Sequence, residues 1–156
     1  NPIAGDSEKT AIIDAVKIEA IKHSYRFQLY TTTGKEDKKA IEKIIEDVKP
    51  SRVFVAGGDG TISLVAECLY EKEIILGIIP AGSANGMAVN FGLPKMIEEQ
   101  IAIAFSDCTL KVDVLFINGK ICLHIADLGI NAELVKNYEM LLYSDRENTG
   151  GHSFFE

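Results

Sequence analysis

VFVAGGDGTISL, residues 53 to 64, runs from four apolar residues into Gly57-Gly58-Asp59-Gly60-Thr61 and out into the helical stretch TISLVAECLY. The apolar run reads as a buried strand, the glycines as a turn and the remainder as a helix. Glycines at 57, 58 and 60 permit positive φ and let backbone N–H groups approach a ligand with no Cβ in the way. The helix beginning near Thr61 aims its positive end at the same point, which makes an anion site. Asp59 sits inside it, and its charge would oppose a phosphate unless a divalent cation lies between them or the carboxylate handles a proton. Nucleotide phosphate with Mg²⁺ resolves that conflict. So does an Asp-Gly turn whose carboxylate only caps its helix, and this stretch alone leaves the two readings even.

A second turn tips the balance. PAGSANG, residues 80 to 86, again follows an apolar strand, IILGII, and precedes an apolar helical stretch. It places Ser83 and Asn85, with Gly82 in the same turn, where a hydroxyl and an amide can contact phosphate or ribose. Two adjacent strand-to-helix turns then converge on one ligand.

Outward from these turns, strand and helix signals alternate. Ser7 can cap a helix carrying Ile12, Ile13, Val16, Ala20 and Ile21 at helical spacing as far as about His23, and the strand YRFQLY follows. Gly34 to Val48 reads as a second helix, stopped by Pro50, before the strand RVFVA. Alternation with short connections predicts an α/β fold, a parallel sheet with helices on both faces, whose ligands sit beyond the carboxyl ends of the strands. From about Thr109 the pattern changes. KVDVLFI and KICLHIA flank Asn118-Gly119, a strong hairpin signal. The expected organisation is an α/β nucleotide-binding domain over 1–108 and the beginning of an antiparallel β-sandwich domain over 109–156. The chain opens on Asn1-Pro2 without Met or signal peptide and stops inside the β part, so the expectation is a portion of a larger protein.

Composition narrows the function classes. The chain has 156 residues, 47% hydrophobic and 25% charged, with a formal net charge of −7. No apolar run approaches the roughly 18 residues of a spanning helix, so a cytoplasmic protein is expected. The negative balance and the lack of Lys/Arg clusters argue against nucleic acid as a partner. Cys68, Cys108 and Cys122 are far apart and form no metal-binding pair, and the three histidines share no ligand spacing. The run GKEDKKAIEKIIEDVK carries both charges at helical spacing and reads as a solvated face.

NPIAG at 1 to 5, GGDGT at 57 to 61, PAGSAN at 80 to 85 and ADLGINAELV at 126 to 135, in that order, resemble the catalytic region of the diacylglycerol kinase family, especially its bacterial lipid kinases. The resemblance implies an α/β domain followed by a β-sandwich, with ATP and Mg²⁺ in the cleft between them. By matching position, Gly58, Asp59, Gly60 and Thr61, with Gly57 and Gly82 in the same two turns, would hold the nucleotide phosphates. Ser83 would replace the usual threonine, Asn85 would complete the second turn, Thr32 would touch the nucleotide, and Asn1 would sit at the mouth of the cleft. Asp59 is the carboxylate expected to act in catalysis and, through Mg-ATP, at the metal, while the family's general base would lie beyond residue 156.

The implied reaction is γ-phosphoryl transfer from ATP to the hydroxyl of diacylglycerol or a related lipid. The lipid would be met transiently at a membrane surface, by a peripheral protein; a homodimer is an open option. Three sites depart from the family pattern. Ser63-Leu64 stand where Asn-Glu is usual, Gly86 where Asp follows Asn, and Ala4 where Ser precedes Gly. Glu67, one helical turn beyond Leu64, is the candidate to replace the missing polar contact. The rival readings are a soluble-substrate kinase of the NAD-kinase type, which shares GGDGT, and a catalytically weak nucleotide-binding regulatory module, motivated by Leu64 and Gly86.

Overall fold

A computed structural model describes residues 9–123 of the chain. Helices α1 (Lys9–Lys22) and α2 (Asp37–Val48) lead to strand β1 (Arg52–Gly57), helix α3 (Asp59–Leu69) and strand β2 (Ile75–Pro80). Short α4 (Gly86–Asn90), α5 (Ile97–Phe105) and the strands β3 (Leu115–Ile117) and β4 (Lys120–Cys122) follow.

β1 and β2 pair in parallel from Arg52 opposite Ile75 to Gly57 opposite Pro80. Successive strand side chains point to opposite faces, and both faces are covered. On one, Val55 packs with Ile41 and Ile45 of α2 and with Ile62, Val65, Cys68 and Leu69 of α3. On the other, Phe54, Ala56 and Ile79 pack with Ile12, Val16 and Ala20 of α1 and with Ile101 and Phe105 of α5. The expected parallel sheet with helices on both faces is therefore present. Arg52 fastens one corner: its guanidinium donates to the carbonyls of Ala104 and Ser106, occupying acceptors that the end of α5 leaves open.

The hairpin forms where Asn118-Gly119 signals it. Ile117 pairs with Lys120, and both loop residues have positive φ, 51° and 77°, as a two-residue turn between antiparallel strands requires. The remainder of the expected β domain, with ADLGINAELV and His124, lies outside the described residues, as do Ser7 and the NPIAG stretch.

Two local expectations shift. The second helix starts at Asp37 rather than Gly34, because the Asp37 carboxylate draws the preceding residues into a turn. It accepts from the amides of Thr33 (2.8 Å) and Gly34 (2.7 Å) and from the hydroxyls of Thr33 (3.1 Å) and Tyr30 (2.7 Å). YRFQLY, at 25 to 30, does not become a ladder strand: among the described residues β1 pairs only with β2. Its alternating composition is that of a strand, but a strand needs an edge within reach, and none pairs with it.

Candidate nucleotide site

Gly57 and Pro80 are register partners, so both glycine-rich turns leave the sheet side by side at its carboxyl end. In the first turn Gly58 is extended (φ −87°, ψ −179°), and its carbonyl accepts from the amides of Thr61 (3.0 Å) and Ile62 (3.1 Å) as α3 begins. In the second, the Ala81 amide bonds the Gly57 carbonyl at 3.1 Å, stitching one turn to the other. Asn85, in the left-handed region at φ 50°, closes its own turn. Its side-chain oxygen accepts from the Gly82 amide (2.8 Å) and its NH₂ donates to the Gly82 carbonyl (2.7 Å).

The turns touch through their glycines. A Cβ on Gly82 would stand 2.4 Å from Gly58 Cα and 2.9 Å from Gly58 N, a distance that only backbone movement could relieve. Gly60 is the opposite case, exposed and with no atom within 4 Å of where its Cβ would lie. Gly57 is buried, with the half-buried Thr61 side chain folded against it.

Asp59 joins the two turns. Its carboxylate, at the head of α3, accepts from the amides of Gly86 (2.8 Å) and Met87 (2.9 Å), the first two residues of α4. The helix it caps is therefore its neighbour's and not its own, and its charge is met by two backbone donors. Each carboxylate oxygen keeps a further lone pair, which is what a metal ion would need. Among the described residues no group of three or more His, Cys, Asp or Glu side chains is placed to hold a metal.

Ser83 is exposed. Thr32 is half-buried, its hydroxyl out of contact with water and without a hydrogen-bond partner, and it lines the same cavity as Ala56 and Thr61. Asn1 lies outside the described residues. Chemically, the head of α3 offers the amides of Asp59 and Gly60, which precede the first bonds to the Gly58 carbonyl and have no acceptor within the helix. With open space over Gly60 and an unspent hydroxyl at Thr32, the junction suits a ligand rich in phosphate and hydroxyl oxygens.

The departures from the family pattern also find places. Leu64 is half-buried and packs against the core between α2 and α3. Glu67, the candidate for that contact, accepts from Lys38 Nζ at 2.6 Å and ties α3 to α2. Cys68 is buried, Cys122 half-buried and Cys108 exposed.

The sequence reading missed Asp37. Four donated hydrogen bonds, first among them the Thr33 amide, hold its carboxyl below the usual carboxylate range. The Tyr30 phenol, bonded to it, is pushed up. The signal was an acidic residue in the first turn of a helix just after Thr33-Gly34, which fits a carboxylate reaching back to free amides.

A family model described as the diacylglycerol kinase catalytic domain matches residues 1–117. An uncharacterized protein from Synechocystis sp. is 31% identical over 147 residues, covering 87% of this chain and 34% of its own length. A "probable lipid kinase YegS-like" protein from Enterobacter sp. is 35% identical over 74 residues, covering 45% of this chain and 25% of its own. The crystal structure of a diacylglycerol kinase from Bacillus anthracis superposes with a TM-score of 0.64 at 25% identity, covering 78% of this chain and 45% of that one. The chain thus spans between a quarter and about a third of the length of these curated relatives.

Proposed function

Because this chain belongs to the diacylglycerol kinase catalytic-domain family, we propose that it forms the nucleotide-holding part of an ATP-dependent lipid kinase. The acceptor in this reading is the hydroxyl of diacylglycerol or a related lipid. The observation that carries the reading is the junction: Asp59 bonded to the head of α4, and Gly58 against Gly82, bring both turns to one place.

Mg-ATP would supply the γ-phosphoryl group, which the acceptor oxygen takes with loss of its proton as ADP departs. Catalysis of this kind is chiefly positioning and electrostatics, and the chain's residues have those roles here. The amides at the head of α3 bind phosphate oxygens, and Gly60 leaves room for them to approach. Thr32 and Ser83 orient the nucleotide through their hydroxyls. Asp59 keeps the second turn in register with the first and faces the metal. The acceptor's proton passes to a base that the family resemblance assigns to the β domain.

No helix among the described residues is long and apolar enough to cross a membrane. In this reading the protein is cytoplasmic and meets its lipid transiently at the surface, where each scattered cation such as Lys95 or Lys120 contributes on the order of 1 kcal/mol. A catalytically weak nucleotide-binding module is the second reading, favoured by the two bonds that tie the Asn85 amide to Gly82 and by Leu64 packing against the core. Turnover of ATP by the full-length protein, with diacylglycerol vesicles and separately with NAD, tests both. Vesicle-dependent ADP release supports the kinase, nucleotide binding without turnover supports the module, and NAD-dependent release overturns the lipid acceptor.

A further inference from the structure

Among the described residues two side-chain polar atoms are buried with no hydrogen-bond partner, Gln100 Oε1 and the Thr32 hydroxyl. Gln100 is still held through its NH₂, which donates to the Pro94 carbonyl at 2.7 Å. Thr32 has no second polar group to hold it. A hydroxyl turns about its C–O bond and ordinarily finds a neighbour, and leaving it buried without one destabilises the fold. A buried donor that stays unspent therefore implies a backbone that keeps it from the alternatives.

The backbone on both sides of Thr32 is held by one carboxylate. Asp37 Oδ1 accepts from the Tyr30 phenol (2.7 Å), two residues before Thr32, and from the amide and hydroxyl of Thr33 (2.8 and 3.1 Å), the residue after it. Oδ2 accepts from the Gly34 amide at 2.7 Å. Thr32 itself is passed over. The chain reaches this arrangement through two left-handed residues, Gly34 (φ 81°) and Glu36 (φ 52°). Glycine adopts that region freely, whereas for a glutamate it is strained and persists only where the surrounding bonds fix it. Asp37 is itself buried and four donors already occupy its two oxygens, so its part is to hold the loop rather than to touch a ligand.

We propose that Asp37 is a positioning residue for the nucleotide: it holds residues 30–34 so that the Thr32 hydroxyl stays unspent until a phosphate or ribose oxygen arrives. The inference rests on the nucleotide reading given above. Thr32 lines the same cavity as Ala56, which leads into Gly57-Gly58, and as Thr61 in the first turn of α3, so the hydroxyl and the first glycine-rich turn share one space. A bound nucleotide then meets a donor that is already desolvated and oriented, and such a donor loses less freedom on binding than a mobile one. The same arrangement leaves the ligand-free loop less stable than a loop with an apolar residue at 32.

The test is a double-mutant cycle on the full-length protein. It combines Thr32→Val with Asp37→Asn and reads thermal unfolding without ligand and Mg-ATP affinity by isothermal titration. Valine keeps the shape of Thr32 and removes the unpartnered hydroxyl. Without ligand, Thr32→Val is expected to raise Tm by about 2 °C. In the Asp37→Asn background that gain disappears, because the released loop lets the hydroxyl reach a partner. Mg-ATP affinity is expected to fall about 10-fold with either substitution and no further when the two are combined. A merely structural carboxylate would lower Tm and leave the affinity of the folded protein unchanged, and two independent contacts would multiply to about 100-fold. Either result overturns the proposal, as does a Thr32→Val protein less stable than its parent, or a Tm gain that persists beside Asp37→Asn. A parent that binds no Mg-ATP overturns the nucleotide reading and this inference together, whereas the other results overturn this inference alone. Should Asp37→Asn fail to fold, Tyr30→Phe removes one of the four donors and takes its place in the cycle. Its expected fall in affinity is about 3-fold, absent beside Thr32→Val, and an unchanged affinity counts against the proposal.

Discussion

Two regions of β1, a few residues apart, contrast in how their backbone is satisfied. At its carboxyl end the amides of Ala81, Gly82, Gly86 and Met87 all find acceptors, three of them on side chains of nearby turns. On its other side, among the described residues, no backbone hydrogen bond joins residues 25–32 to Arg52–Val55, and both stretches line one cavity. The difference is one of range. A turn carries its own acceptors in Asp and Asn, whereas a strand edge depends on another segment arriving.

If the junction is self-sufficient, disturbing it should cost more than any change at the open edge. Gly82→Val is expected to have the largest effect, because its Cβ meets Gly58 backbone at 2.4 Å. A loss of about 3 kcal/mol, read as a fall in Tm of about 10 °C, is expected without any ligand. Gly82→Ala within experimental error of the parent would show that the two turns are not locked together.

Asp59→Asn comes next. It keeps the shape but turns an amide donor toward one of the two N–H groups at the head of α4, at a cost of about 1–2 kcal/mol. Chemical denaturation measures that cost. Mg-dependent nucleotide affinity, measured separately, should fall further than the stability change explains if the carboxylate also faces the metal.

Asp37 sharpens the comparison at the edge of the open region, where it is the local anchor. Its folded-state pKa is depressed, so its contribution is full above the unfolded value, near 3.9, and is lost as pH falls through the folded value. Asp37→Asn should therefore flatten the acid arm of a Tm-against-pH curve while leaving the difference from the parent constant above about pH 5. An unchanged acid arm would remove Asp37 as the anchor of residues 30–34.

Gly60→Ala should have the smallest effect on folding, and of the opposite sign. Its φ is not positive and its Cβ meets nothing, so up to about 1 kcal/mol of helix propensity is gained. Nucleotide affinity should nevertheless weaken, because the new methyl occupies the space over the α3 amides. Isothermal titration alongside thermal unfolding separates the two signs.

What was legible in the sequence follows the same division by range. PAGSANG and Asn118-Gly119 announce turns through residues that act on their own backbone, and the turns stand where those residues put them, whereas in GGDGT only Gly58 separates β1 from α3, which starts at Asp59 rather than near Thr61. Asp59 capping α4, and Gly58 against Gly82, join segments 24 to 28 residues apart, and periodicity carries no such information. YRFQLY has the composition of a strand because composition reports burial on a pleated face. Pairing is decided elsewhere in the chain. The Gly34 helix start failed for a local reason that was available: Asp37 competes for the amides that would have begun the helix earlier.

The contact between Gly58 and Gly82 has an evolutionary consequence. When two residues crowd each other, a larger side chain at one is ordinarily rescued by a smaller one at the other, but no residue is smaller than glycine. The pair therefore has no compensating substitution and is held by geometry with no ligand involved. A descendant that had abandoned phosphoryl transfer would still have to inherit both glycines to keep its two turns together, so their persistence through a lineage records the architecture of the junction rather than the survival of the reaction.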